Sequence, residues 1–284
     1  MRHNDGFKIL SLGITWTWLM VFALLPFCLV GLASFLSHSD DHLLELPFTL
    51  LNYVQLNNSI YLKVFKESLY LAAICTVICL ILGYPFAYII ARIEGRLKGL
   101  LILLLIIPFW TSSLIRTYSM ITILKPKGII SSALMWLGII DKPLQLLFTD
   151  TAVMIGLVYN LLPYMIIPLL TNIERLDSRL IDAARDLGAN RITTFRKVIL
   201  PLTMPGIWSG CILVFLPAMT IFYIPDLLGG SKSILLGNVI QNQFLTVQNW
   251  PLGSAINVVF TFILIVLLLV YWQSTRGREH RKLL

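Results

Sequence analysis

The sequence predicts an all-α polytopic membrane protein with six transmembrane helices, and three observations carry that expectation. Mean hydropathy is +0.84. Of the 284 residues, 57% are hydrophobic and only 13% charged, a balance outside the range of ordinary soluble domains. Apolar runs recur along the chain, each long enough to cross about 30 Å of hydrocarbon, which takes roughly 20 helical residues.

The runs lie near 10–36, 68–91, 99–123, 151–172, 203–225 and 253–272. They divide the chain into an N-terminal segment 1–9, a transmembrane domain 10–272 and a basic tail 273–284. Arg2 and Lys8 precede the first run in the manner of a signal peptide. That run exceeds the roughly 7–15 residues of a signal-peptide core and no clean small-residue cleavage site follows, so a retained anchor is expected.

Lys and Arg set the orientation. With the N-terminus inside, 15 of them fall on the cytoplasmic side (Arg2 and Lys8, Arg92 to Lys98, the segment 173–200, and Arg276 to Lys282) against six outside. Arg116 alone stays within a run. Both termini are therefore expected in the cytoplasm, and this asymmetry accounts for the net charge of +8 without nucleic-acid binding.

The outer connections differ in character. Residues 37–67 carry Asp40, Asp41, Glu45 and Glu67, whereas 124–150 and 226–252 hold short amphipathic pieces around Trp136 and Trp250. Such pieces read either as interfacial elements with aromatic anchors or as a landing surface for an outer partner.

Catalytic and metal-binding patterns are missing from the sequence. His3 and His280 sit near the termini, His38 and His42 share an outer loop without a ligand pattern, and Cys28, Cys75, Cys79 and Cys211 fall in apolar runs where thiols act as small hydrophobes. Gly229-Gly230-Ser231-Lys232-Ser233 has the ingredients of a phosphate loop in the wrong order and on the outer side. We expect no metal, no disulfide and no cofactor on this chain; any ATP belongs to another subunit.

The loop 173–201 stands apart as a charged island, DSRLIDAARDLGANRITTFRKVILP from Asp177 to Pro201. Asp177 or Ser178 can cap a helix, Leu176, Leu180, Ala183, Ala184 and Leu187 recur at helical spacing, and Gly188 suits its end. The spacing predicts a short amphipathic helix, a break at Gly188-Ala189-Asn190, and an apolar face (Ile192, Phe195, Val198, Ile199) up to Pro201, from which the fifth span departs. Ala183 and Ala184 leave room for another protein's surface to come close.

Asp182-Ala183-Ala184, Gly188, Val198, Leu200 and Pro201 resemble the EAA motif, E-A-A-x3-G-x9-I-x-L-P, of ABC importer permeases, with Asp for Glu and Val for Ile. The resemblance implies a type I ABC importer permease fold whose cytoplasmic coupling helix docks in a groove of an ATPase subunit. Pro108 to Tyr118, Asp182 to Pro205 and Leu216 to Gly230 resemble more narrowly the PotB-type permeases of spermidine/putrescine importers. That resemblance implies a transport subunit that is not itself an enzyme. It further implies an inner-membrane complex with a second, PotC-like permease, a PotA-like ATPase dimer holding ATP and Mg, and a PotD-like periplasmic binding protein.

A polyamine needs carboxylates or carbonyls for its ammonium groups and aromatic faces for its methylenes. Asp226, counted along a straight helix from Met204, lies roughly 33 Å further on, at the outer mouth, with Tyr223 one turn earlier; the alternative is a locally paired interfacial acid. Arg116 is expected in a structural ion pair, with an acid such as Asp226, or snorkelling to the interface. Tyr159, Asn160 and Tyr164 flank Pro163, and Asn160 near the midplane should bond another helix or face a wet cavity. Trp110, beside Pro108, lines the path or belongs to the core. A secondary transporter would show inverted repeats and ion-binding charges at midplane, and neither is found.

Overall fold

The computed structural model describes residues 5–38, 45–230 and 233–280. Asp40, Asp41 and His42 of the first loop, Lys232, and the terminal Arg2, His3, Arg281 and Lys282 lie outside the described residues. Among the described residues the fold is helical throughout, with one isolated bridge, Ser37 to Glu45, in place of any strand.

In chain order, α1 (Asp5–Leu19) runs through a π-helical turn, Met20–Leu24, into α2 (Leu25–Ala33). Together they make the apolar helix Leu10–Ala33. The turn comes just before Pro26, whose missing N–H and bulky ring disturb the carbonyls one turn back; the Leu25 N–H bonds the Met20 carbonyl, five residues back. The short α3 (Leu51–Gln55) carries Asn52, which donates to the Ser34 and Leu36 carbonyls at 3.0 and 2.8 Å. Next comes α4 (Ser59–Arg92), 34 residues long and apolar enough to span a membrane.

The expected third span, 99–123, is not one straight helix. α5 (Arg96–Ile106) tightens into a 3₁₀ turn at Ile107–Trp110, breaks at Thr111 and Ser112, and restarts as α6 (Ser113–Leu124), followed by α7 (Ile129–Trp136). The two halves are bent by 96°. Pro108 supplies the cause, since it cannot donate to the ladder, and Thr111 and Ser112 then turn extended, with ψ of 144° and 134°.

α8 (Asp150–Glu174) follows, capped by Thr149, whose hydroxyl accepts from the Ala152 N–H. Then come α9 (Ser178–Asp186), α10 (Arg191–Thr194), a π-helical turn Phe195–Ile199, and α11 (Leu200–Thr220). A third π-helical turn, Pro225–Gly229, leads to α12 (Leu236–Leu245) and α13 (Trp250–His280). Among the described residues four helices are long and apolar enough to span a membrane: Leu10–Ala33, α4, α8 and Arg191–Thr220. The bent pair makes up to five, and α13 contributes a shorter apolar stretch, Trp250–Val266.

The helices fall into two compact units, 1–62 with 239–284, and 63–238. In the first, α13 packs against α2 and α3. In the second, α8 and α11 form the central pair, and glycine decides how close they come. A Cβ on Gly206 would stand 2.6 Å from the Asn172 Cβ, and one on Gly210 2.6 Å from the Met165 sulfur and 3.2 Å from the Met165 carbonyl oxygen. These two glycines, four residues apart, let the backbones touch, the kind of small-residue seam that apolar solvent favours because packing must replace the hydrophobic effect. Met165, Leu169, Leu157 and Val214 are fully buried along this pair.

Candidate functional site

The charged island folds largely as its residues dictate. Asp177 caps α9 by accepting from the Arg179 N–H at 2.9 Å. At the other end the Gly188 N–H donates to the Arg185 carbonyl at 2.8 Å and the Ala189 N–H to the Ala184 carbonyl at 3.0 Å, with Gly188 at φ +80°. This pair of bonds around a left-handed residue is the Schellman closure, which glycine adopts without a Cβ penalty. Two residues on, Asn190 caps α10 through the Thr193 N–H at 2.8 Å. The break is therefore a helix stop set directly against a helix start.

Beyond it the structure differs from expectation. Pro201 is not where a span departs; the helix passes through it, so that Arg191–Thr220 is continuous over 30 residues. The π turn Phe195–Ile199 makes this possible: the Leu200 N–H bonds the Phe195 carbonyl, and the wider turn relieves the ring of Pro201 as the one at Met20–Leu24 does for Pro26.

Burial sorts the faces of α9. Ile181 is 3% exposed and anchors the helix, whereas Leu180, Leu187 and Ile192 are open, Leu187 at 89%. Asp182, Ala183 and Gly188 are exposed, with Ala184 half-buried; Val198 and Leu200 are half-buried and Pro201 exposed. Asp182 pairs only loosely with Arg185, 3.6 Å away. Tyr84 joins the segment to α4: its hydroxyl lies 2.9 Å from the Thr203 hydroxyl and its ring meets Phe195 edge-on at 5.7 Å.

At the far end of α11 the straight-helix placement of Asp226 fails. The helix stops at Thr220 because Ile221 is extended, with ψ 119°, and Pro225 then opens the π turn. Asp226 is exposed, yet its carboxylate accepts from the Asn238 amide at 2.5 Å. The same amide donates to the Phe222 carbonyl at 2.8 Å, and the Asn238 side-chain oxygen accepts from the Leu235 N–H at 3.1 Å. Asn238 is thus a staple that closes the turn, and Asp226 is paired locally. Tyr223 donates to the Ser113 hydroxyl at 2.9 Å, tying the turn to α6 rather than facing out beside Asp226.

Arg116 makes no ion pair among the described residues. Among the described residues no carboxylate lies within 4.0 Å of it; its guanidinium stands 6.0 Å from the centre of the Tyr159 ring, and its Nε is buried without an acceptor. The acid expected to face it, Asp226, is taken by Asn238, and the bend at Thr111–Ser112 sets α6 on an axis different from the straight one assumed. Asn160 is 3% exposed and bonds its own helix, donating to the Gly156 carbonyl at 2.9 Å while its oxygen has no partner; it does not bridge to another helix. Tyr159 and Tyr164 are partly open, Tyr164 against Phe109 edge-on at 5.1 Å. Trp110 is 82% exposed, so it is no core residue.

Asn238, Ser113, Tyr84 and Thr203 carry these connections, and the sequence alone did not single them out. Their partners lie as much as 119 residues away, and a lone polar residue in an apolar run looks the same whether it staples or faces solvent.

The long apolar helices are those of a polytopic membrane protein, and the fold is of the ABC importer permease type. The fold matches, at TM-score 0.78 and 17% identity over 96% of both chains, a chain in the crystal structure of a bacterial ABC transporter involved in the import of the acidic polysaccharide alginate. The chain belongs to the family of binding-protein-dependent transport system inner membrane components, whose model matches residues 83–278. It is 49% identical to the spermidine/putrescine transport system permease protein PotB of Escherichia coli K12, over 91% of this chain and 94% of that one. It is 47% identical to PotB of Haemophilus influenzae, over 96% of both.

Proposed function

We propose that this chain is the transmembrane permease subunit of an ATP-driven importer that moves spermidine and putrescine across the inner membrane into the cytoplasm. The observation that carries this is identity of 46–49% to PotB permeases over at least 91% of the chain. In this reading six spans cross the membrane: Leu10–Ala33, α4, the bent α5–α7 pair, α8, Arg191–Thr220 and α13. Both termini lie in the cytoplasm.

The partners are a second, PotC-like permease, a PotA-like ATPase dimer that holds ATP and Mg, and a PotD-like periplasmic protein that delivers substrate. Hydrolysis belongs to the ATPase. The α9 helix, presenting Asp182, Ala183 and Ala184 beside exposed Leu180 and Leu187, docks on that ATPase. Its N-terminus is closed by the Asp177 side chain and its C-terminus by the backbone bonds at Gly188 and Ala189, so it moves as a rigid piece. Displacement passes through the unbroken helix 191–220, and Tyr84 hands part of it to α4.

The polyamine's route uses Trp110, Tyr159 and Tyr164, whose partly open rings each offer about 0.5–2 kcal/mol to an ammonium group, with Asn160 on α8 and with Tyr223 and Asp226 beyond the end of α11. Arg116 beside Tyr159 repels a lingering polycation, which keeps binding weak enough for release.

The test is uptake of labelled spermidine by vesicles carrying all four components, with putrescine as competitor. Uptake should vanish when the ATPase is left out. An Ala184→Arg chain should reach the membrane folded yet fail to copurify the ATPase. Uptake that ignores putrescine, or persists without the ATPase, overturns the proposal.

A further inference from the structure

We propose that the cleft between α9, α10 and the end of α4 is a phosphate-binding site occupied by the headgroup of an anionic phospholipid. The inference rests on the proposed membrane orientation and coupling role of α9, but not on which solute is carried. The cleft holds about 510 Å3 and carries Tyr84, Tyr88, Arg185, Arg191 and Thr194, with an apolar floor that includes Ile181 and Phe195. Among the described residues no carboxylate lines it.

Two observations point independently to an anion. Arg185 and Arg191 approach from the two sides of the Gly188 break; Arg185 has only the loose contact with Asp182 at 3.6 Å, and Arg191 has no ion-pair partner among the described residues. Thr194, in the wall of the same cleft, is 3% exposed, and its hydroxyl is buried with no hydrogen-bond partner, not even the carbonyl one turn back. A buried donor left unbonded is costly, and a phosphate oxygen seated between two guanidinium groups is an acceptor that removes the cost.

The surroundings choose the source of the phosphate. Tyr88 and Tyr84 lie four and eight residues before the end of α4 at Arg92, roughly 6 and 12 Å along the axis, the depth at which aromatic residues meet headgroups. The Arg92 guanidinium stands 5.1 Å above the Tyr88 ring and adds positive charge at the same level. Ile181 and Phe195 give glycerol and the first methylenes an apolar seat, which a free phosphate has no use for. Ile181 and Arg185, one turn apart on α9, both face the cleft, while Leu180 and Leu187 are exposed. The lipid therefore sits between the coupling helix and the spans, apart from the surface offered to the ATPase, and stiffens the joint through which motion is transmitted.

The experiment compares the wild-type four-component complex with Arg185→Gln/Arg191→Gln and with Thr194→Val. Native mass spectrometry reads bound lipid. ATPase stimulation by the loaded binding protein is measured in phosphatidylcholine vesicles with and without phosphatidylglycerol, and again in detergent with added inorganic phosphate. The wild-type complex should retain phosphatidylglycerol and be stimulated more strongly in its presence; the double variant should lose at least about tenfold in retention, with Thr194→Val between the two. Equal retention in all three proteins overturns the site. Inorganic phosphate reproducing the stimulation in detergent overturns the lipid as the source. If the double variant instead sheds the ATPase, the arginines meet a protein partner and the proposal is overturned. Substrate identity enters none of these readouts except through the loaded binding protein, and lipid retention is independent of it.

Discussion

The 177–201 segment and the 221–238 turn both interrupt long helix, but different bonds hold them. In the first, each stabilising bond closes within five residues: Asp177 to Arg179, Arg185 to Gly188, Ala184 to Ala189, Asn190 to Thr193. In the second, Tyr223 reaches Ser113, 110 residues away, the Leu236 N–H reaches the Ser68 hydroxyl, 168 residues away, and the Phe148 N–H donates to the Leu228 carbonyl. The hydrogen bonds of the first are local, and the Phe195 ring against Tyr84 ties it to α4. The second joins its local Asn238 staple to these long-range bonds, so its shape also depends on where α4 and α6 stand.

Substitutions can break this contrast. The largest effect is expected at Gly237, where an added Cβ would lie 2.2 Å from the Thr220 carbonyl oxygen, a backbone atom that cannot step aside. Gly237→Ala should cost about 3 kcal/mol or more and lower the unfolding temperature of the purified protein. An unchanged temperature would show that α12 does not rest on the end of α11.

Asn238→Ala leaves the Phe222 carbonyl and the Leu235 N–H without their partner. A loss of about 2 kcal/mol should follow, with substrate uptake falling while ATPase copurification holds. Loss of copurification instead would erase the distinction between the two regions.

Gly188→Ala should cost only about 1 kcal/mol, because nothing lies within 4 Å of the added methyl and the strain is that of the left-handed backbone alone. Its signature should be functional: weaker stimulation of the ATPase at nearly unchanged thermal stability. Normal stimulation would argue that the Schellman closure is dispensable for coupling.

The smallest change in stability is expected for Asp226→Asn, which alters one partly exposed hydrogen bond by less than about 1 kcal/mol. Uptake by reconstituted vesicles sharpens its role. A marked fall in polyamine uptake with intact folding places the carboxylate on the route, and unchanged uptake leaves it as a closing bond of the turn.

How much could be read in advance follows the same division. The start of the helix at Asp177 or Ser178 and its stop at Gly188 were legible because the residues that need bonding and those that satisfy it are neighbours; the cap at Asn190, read only as part of the break, was not singled out. The ion pair expected for Arg116 has no acid among the described residues, because such a pair depends on where two distant helices end, and both the bend after Pro108 and the break at Ile221 move those ends. A signal for the α8–α11 seam was present in the spacing of Gly206 and Gly210, yet only the approach of Met165 and Asn172 gives that spacing meaning.

By itself the sequence determined the chemical class of the chain, the location of its apolar runs and the local build of the charged island. Hydropathy, Lys and Arg placement and capping act over a few residues, or as sums that need no coordinates. Tertiary structure alone decided the 96° bend, the partner of Asp226, the place of Arg116 beside the Tyr159 ring, and the cleft in which Thr194 keeps an unbonded hydroxyl. Those outcomes depend on which side chains meet across tens or hundreds of residues, and in an apolar solvent that is settled by backbone approach and the satisfaction of buried polar groups.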